Sequence, residues 1–141
     1  MTRSILFVCN MNSVRSPMAA ALLQGFAGDR IIVDSAGVHE GWLDPFVEAV
    51  MQEEGVSVED HEPKPMATLD MSKFDLVIAL TEQSALTARK FLDRDRIELW
   101  EIANPSEERG GREEVLAAYR AVREELKQRI AARFGDFAEK P

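Results

Sequence analysis

The sequence predicts an α/β fold in three layers, a four-stranded parallel sheet with helices on both faces. Two observations carry that expectation. Short apolar runs of strand length alternate with stretches of helical period, the pattern of parallel strands joined by helical crossovers. The run at 74–80 is almost wholly apolar, as a strand buried on both faces has to be. At 141 residues the chain is long enough to bury about two-thirds of its unfolded surface, and one domain is expected over 1–141.

Each element has a local reason. The first strand is read over 4–8, followed by a loop at 9–16 and a helix over 17–26. Pro17 suits the first turn of that helix, where its missing N–H costs nothing, and Ser16 is the expected N-cap. The second strand is read over 31–35. Asp44 caps and Pro45 opens a second helix that runs to residue 54, before Gly55 stops it. Pro63-Lys64-Pro65 has to be loop, and the third strand follows at 74–80. Thr81, with Glu82 and Ser84, opens a helix ending near residue 92. The fourth strand is read over 97–100, a polar loop over 102–111 and an amphipathic helix over 112–134. In such sheets ligands bind beyond the carboxyl ends of the strands, which places Cys9, Ser35, Thr81 and the loop after Trp100 along one edge.

Composition removes several functions. Hydrophobic residues make up 45% and charged residues 30%, and no apolar run approaches the ~18 residues of a membrane span. The apolar run at 5–8 is too short for a signal peptide, so a cytoplasmic protein with no membrane partner is expected. A net charge of −8 argues against nucleic acid as a partner, because such binding needs many cations on one face. One cysteine cannot form an internal disulfide, and the two histidines stand too far from it for a zinc site. No metal and no cofactor are expected.

Between the first strand and its helix stands Cys9-Asn10-Met11-Asn12-Ser13-Val14-Arg15-Ser16, a cysteine and an arginine separated by five residues. At a helix N-terminus, a loop of that length can curl so that its amides, from Asn10 through Met11, Asn12, Ser13 and Val14 to Arg15, face one anion. The Arg15 guanidinium then closes over it as a bidentate fork. The result is a phosphate cradle. The same positive field favours the thiolate of Cys9, and Ser16 is placed to donate a hydrogen bond to the sulfur. A lone cysteine ending a strand is otherwise a small buried residue. An arginine on the tight turn into a helix has little structural use, and together the two point to a nucleophile beside an oxyanion. The loop has neither Gly-x-Gly-x-x-Gly nor a Gly-Lys-Thr ending, which argues against a dehydrogenase or a P-loop nucleotidase.

These residues resemble the low-molecular-weight protein tyrosine phosphatase family, whose loop also follows the first strand near the N-terminus. The similarity covers nearly the whole chain in order and spacing. It takes in Asp34-Ser35-Ala36-Gly37, Asp44-Pro45, Asp60-His61, Lys73-Phe74-Asp75-Leu76-Val77-Ile78-Ala79-Leu80 and the long last helix. The resemblance implies Cys9 as nucleophile, Arg15 as phosphate clamp, Ser16 as thiolate donor, and Asn12, Ser35 and His61 as a network holding the loop. It further implies a phosphocysteine intermediate and, as partner, a phosphate ester or other tetrahedral oxyanion, a phosphotyrosine protein among them. For His61 a solvent-exposed loop position is the alternative.

The chain departs from that family in the loop after the fourth strand, where members carry Asp-Pro and an aromatic residue. Here the residues are Asn104-Pro105-Ser106. Asn104 cannot transfer a proton, so a general-acid contribution of ~10²- to 10⁴-fold is expected to be missing, and Ser106 removes the wall for a phosphotyrosine ring. Glu107 and Glu108 stand close by, as substitute acids or as solvated loop carboxylates. Met11 and Val14 stand where many relatives have Gly and a second Cys. Without another cysteine the chain cannot run the three-cysteine relay of the thioredoxin-coupled arsenate reductases that share the fold. Trp42 is either part of the pocket rim or a surface tryptophan. Three functions stay open: a phosphomonoesterase weakened at Asn104, a phosphate- or phosphoprotein-binding module without turnover, and an arsenate reductase using an external small thiol.

Overall fold

The computed structural model describes residues 3–137. Four parallel strands, β1 (Arg3–Cys9), β2 (Ile31–Gly37), β3 (Leu76–Ala79) and β4 (Ile97–Leu99), pair in the order β2-β1-β3-β4. Four α-helices join and follow them: α1 (Arg15–Ala27), α2 (Pro45–Gln52), α3 (Glu82–Ala88) and α4 (Arg112–Phe134).

β1 lies inside the sheet, and its apolar run has both faces to cover. Ile5, Leu6, Phe7 and Val8 are all fully buried. Successive side chains point to opposite faces, so Ile5 and Phe7 join Leu76 and Ile78 against α1, α2 and α4. Leu6 and Val8 join Val77 and Ala79 against α3, with Met66, Met71, Phe74 and Leu92. Each fully buried large side chain contributes about 1.5–3 kcal/mol, enough for the two apolar faces of β1 to anchor it between the layers. The helical spacing of Leu116, Tyr119, Val122, Leu126, Ile130 and Phe134 gives α4 its buried stripe.

The expected elements are present, with differences at their ends; β1, α2 and β4 shift by one or two residues, and four other differences bear on the site or its packing. Helix α1 begins at Arg15, one turn's edge earlier than expected, and its N-cap is Val14 with no side-chain capping bond. Ser16 is therefore not the cap: it is fully buried inside the first turn, where its hydroxyl has other partners. Helix α3 ends at Ala88, because the amides of Lys90 and Phe91 turn back to Thr87 and Ala88 and tighten the chain. Leu92 still reaches the core from that turn. Strand β3 is shorter than 74–80: at its start the Asp75 amide donates to the Ser4 carbonyl at 2.9 Å, while the Ser4 amide turns to the Asp75 carboxylate at 3.0 Å. Strand β2 is longer and ends at Gly37.

From β1 the chain moves outward to β2, then crosses to β3 on the other side of β1. The switch of direction lies between β1 and β3, and a crevice opens there beyond their carboxyl ends. Cys9 ends β1 at that point. Among the described residues no helix is long and apolar enough to cross a membrane.

Candidate active site

Cys9 is the free cysteine of the chain, 2% exposed, at the last position of β1. The next residues wind directly into α1, so the sulfur and the helix N-terminus share one end of the sheet. Cys9 Sγ lies 3.0 Å from Ser16 Oγ. Asn12 Nδ2 donates to the same Ser16 oxygen at 2.8 Å. An amide N–H can only donate, so it fixes that oxygen as an acceptor and leaves the hydroxyl hydrogen for another partner. That partner is Cys9 Sγ or the carbonyl of Ala36 at 3.3 Å.

Asn12 organises the loop. Its φ is 54°, in the left-handed region that asparagine tolerates better than most residues, and its side chain is fully buried. Besides Ser16, Nδ2 donates to Ser35 Oγ at 3.0 Å, and Oδ1 accepts from the Lys64 amide at 3.0 Å. Its carbonyl meets His61 Nε2 at 2.9 Å. A carbonyl only accepts, so His61 carries its proton on Nε2. Burial is the main cause holding the His61 imidazole below its ordinary value of 6.5; Lys64 adds to the effect, and the Asn12 bond and Asp34 oppose it. Asn12, Ser35 and His61 are thus brought together, and His61 is not a free loop residue.

Arg15 is half-buried, and Nη1 donates to the Ile102 carbonyl at 2.9 Å, tying the loop to the segment after β4. Among the described residues Nε and Nη2 make no hydrogen bond, and they form a pair of donors on one edge of the fork. Burial lowers Arg15 from its ordinary value, while Cys9 and Glu107 draw it back up. Asn10 bridges the crevice: its Oδ1 accepts from Thr81 Oγ1, the N-cap of α3, at 2.8 Å. Ser13 accepts through its carbonyl from the Asp44 amide at 3.1 Å, Met11 is 43% exposed on the rim, and Val14 is buried.

Asn104 stands on the segment beyond Arg15's partner Ile102, and its Oδ1 is taken by Ser106, from the amide at 3.1 Å and the hydroxyl at 2.7 Å. It caps the single turn Pro105–Glu107. Of the two nearby glutamates, Glu108 is turned to the amides of Arg109 and Gly110, at 2.9 and 3.1 Å, whereas Glu107 lies within electrostatic reach of Arg15. Trp42 is 90% exposed and lines a cavity of about 480 Å³ with Ser13, Val14, Phe46, Ser106 and Glu108. Lys64 pairs with Asp34 at 2.8 Å. Among the described residues no group of three or more His, Cys, Asp or Glu could hold a metal ion.

Three contributors escape the sequence: the Lys64 amide, the close-packed Gly37 and the Tyr119–Asp44 bond; Thr81 is expected on this edge, but its bond to Asn10 is not. Asp44 announces itself as a cap, but nothing local says that its amide also holds Ser13.

A parallel α/β sheet with a cysteine at the end of its central first strand and an arginine-bearing loop opening a helix defines the class of cysteine-dependent oxyanion enzymes. Within that class, the chain belongs to the low molecular weight phosphotyrosine protein phosphatase family, which it matches over residues 4–140. It is 30% identical over 137 residues to an arsenate reductase of Bacillus licheniformis, covering 97% of this chain and 98% of that one. It is 34% identical over 105 residues to a low molecular weight protein-tyrosine-phosphatase of Streptomyces coelicolor, covering 68% and 63%. Among solved structures, the YwlE arginine phosphatase from Geobacillus stearothermophilus superposes with a TM-score of 0.76 at 28% identity, over 91% of this chain and 88% of that one. At the family level the chain is a cysteine-based phosphatase or arsenate reductase.

Proposed function

We propose that this chain is a cysteine-dependent phosphomonoesterase working through a phosphocysteine intermediate, with turnover lowered by Asn104. One observation carries the proposal: Cys9 Sγ sits 3.0 Å from a serine hydroxyl at the start of α1, with the guanidinium of Arg15 in electrostatic reach. The Cys9 thiolate attacks phosphorus in line while Ser16 donates to the sulfur. Arg15 and the amides of Asn10, Met11, Asn12, Ser13 and Val14 hold the equatorial oxygens. The bond to the leaving group breaks with its electron pair on that group. Water then attacks the phosphocysteine, releasing inorganic phosphate and the thiolate. Asn12, Ser35 and His61 keep the loop in shape without touching phosphorus. The protein acts in the cytoplasm as one domain, without metal, nucleic acid or membrane, and a phosphotyrosine protein is one candidate substrate.

Cys9-dependent hydrolysis of p-nitrophenyl phosphate tests this directly. The parent is expected to release nitrophenol and the Cys9→Ser variant to release none; equal rates would refute a cysteine mechanism. Asn104 makes the departing oxygen leave without an acid, so rates across a set of aryl phosphates should fall steeply as the phenol becomes more basic. Asn104→Asp should flatten that slope and raise turnover by up to ~10²-fold.

Two other readings each have an observation behind them. Because Asn104 cannot donate a proton and its oxygen is bound to Ser106, the site also suits a phosphate- or phosphoprotein-binding module without turnover. That module would bind vanadate like its Cys9→Ser variant and release no nitrophenol. The arsenate reductases among the relatives support reduction of arsenate. With a single cysteine in the chain, an external small thiol would have to complete that reaction, and arsenate-dependent oxidation of the thiol would reveal it.

A further inference from the structure

We propose, resting on the phosphatase reading above, that the substrate is an acyl phosphate, the mixed anhydride of a carboxylic acid and phosphoric acid. Asn104 selects it by donating hydrogen bonds to the departing carboxylate. Asn104 stands two residues beyond Ile102, whose carbonyl accepts from Arg15 at 2.9 Å, so its turn is tied to the phosphate clamp. The Ser106 amide bonds one terminal atom of the Asn104 side chain at 3.1 Å, and the Ser106 hydroxyl bonds the same atom at 2.7 Å. A backbone N–H only donates, so that atom is Oδ1. Its oxygen is held twice, and its backbone caps the turn Pro105–Glu107. The amide therefore has one orientation, and Nδ2 carries two N–H groups that make no hydrogen bond among the described residues. Where the family has an acid, this chain holds a neutral donor pinned by its other end.

A hydrogen-bond donor and an acid suit different leaving groups. A phenol of pKa ~10 leaves poorly as an anion, and an amide cannot give it the proton it requires. A carboxylic acid of pKa ~4 leaves as a stable anion at neutral pH, and N–H donors at its oxygens strengthen as the charge develops. In the step proposed, the Cys9 thiolate forms the S–P bond while the P–O bond breaks with its electron pair on the acyl oxygen. The carboxylate departs unprotonated. Water then attacks the phosphocysteine, the S–P pair returns to sulfur, and the protons of the water pass to phosphate and solvent. The surroundings separate this anhydride from a diphosphate, whose leaving group also needs no acid. The cavity beside Ser13 has Val14, Trp42, Phe46 and Val115 as apolar walls, and its charged lining is Asp44 and Glu108. An uncharged acyl body fits those walls, whereas a second phosphate would bring negative charge against two carboxylates.

Benzoyl phosphate and phenyl phosphate carry the same ring and differ in the leaving group, so the test compares them, with p-nitrophenyl phosphate as reference and the Cys9→Ser protein as the chemical baseline. Both pass through one phosphocysteine, and kcat/KM is the quantity to read because it reports the step in which the leaving group departs. Benzoyl phosphate should exceed phenyl phosphate by at least about 100-fold, the lower size of a missing general acid. Asn104→Asp should shrink that ratio about 10-fold or more, by raising the phenyl ester alone. Asn104→Ser, which keeps an oxygen to cap the turn and loses Nδ2, should lower kcat/KM for benzoyl phosphate severalfold at an unchanged urea midpoint. A phosphoaspartate peptide offered beside acetyl phosphate separates a protein source from a small-molecule one, and a preference for either sustains the proposal. Three results would overturn it while leaving the phosphatase reading intact: a ratio that Asn104→Asp does not move, a benzoyl phosphate rate indifferent to Asn104→Ser, or pyrophosphate cleaved as fast as benzoyl phosphate. Absence of Cys9-dependent turnover on every substrate, the nitrophenyl ester included, would remove the phosphatase reading and this proposal together.

Discussion

Gly37 ends β2 against the backbone of the loop. A Cβ there would stand 2.5 Å from the His39 carbonyl oxygen, 2.8 Å from the Asn12 amide nitrogen and 3.0 Å from the Asn10 carbonyl oxygen. All three atoms are backbone, so no flexible side chain can give way. Gly37→Ala is expected to cost about 1–3 kcal/mol as an overpacking change, read from the urea midpoint. It should also lower Cys9-dependent turnover roughly 10-fold or more, because the Asn12 amide and the Asn10 carbonyl move with it. Gly25, on α1, has nothing within 4 Å of its position, and Gly25→Ala should stabilise the protein by about 0.5–1 kcal/mol with turnover unchanged. Full activity in Gly37→Ala would mean that the loop tolerates displacement.

At the scale of elements, α4 reaches the loop through Asp44. The Tyr119 hydroxyl donates to Asp44 Oδ2, the other Asp44 oxygen caps α2 at the Phe46 amide, and the Asp44 amide holds the Ser13 carbonyl. Burial first, and then the Asp44 carboxylate, keep the Tyr119 phenol well above its ordinary value, so it acts as a donor throughout the physiological range. Tyr119→Phe removes a hydrogen bond to a charged group, and about 1.5–3 kcal/mol of stability should go with it. Tyr119 serves as a positioning residue, so Tyr119→Phe should also raise KM for an aryl phosphate severalfold, with a smaller effect on kcat. A loss of stability with an unchanged KM would confine Tyr119 to packing. On the other side of the crevice, Thr81 caps α3 and holds Asn10, so the loop is braced from both layers of helices.

At the scale of the whole molecule, acid should act in two stages. His61 is held below 6.5 in the folded chain, so the unfolded chain binds the proton more readily. Its neutral form costs nothing above that pH, and stability falls as pH drops below 6.5 toward the folded value. Arg120 and Arg123 hold the Glu53 carboxylate down at about 2 instead of 4.5 through bonds that join the end of α2 to α4. That contribution is present above pH 4.5 and is lost as pH falls toward 2. Urea midpoints measured across this range should show both declines, and His61→Gln should remove the upper one. Persistence of the upper decline in that variant would assign it to another group.

The strand, the loop and the opening of α1 are contiguous, which is why Cys9, Arg15 and Ser16 can be read from spacing alone. Asp44, Thr81 and the buried stripe of α4 are equally local signals. Ser16 shows where local rules yield. A serine before a proline favours a cap, but burial of the hydroxyl beside Cys9, Asn12 and Ala36 gave it three polar partners instead. The remaining supports come from far along the chain. The Lys64 amide is 52 residues from Asn12, Thr81 is 71 from Asn10 and Tyr119 is 75 from Asp44. From sequence alone came the layered α/β architecture, the cysteine-arginine loop and the Asn104 departure, because periodicity, helix-start chemistry and residue identity are properties of neighbouring positions. Which distant groups satisfy the loop's buried polar atoms, and which walls flank it, were decided only when the sheet order brought separate strand ends to one edge. Hydrogen-bond partners and cavity walls are set by distances in space, and no local pattern encodes those.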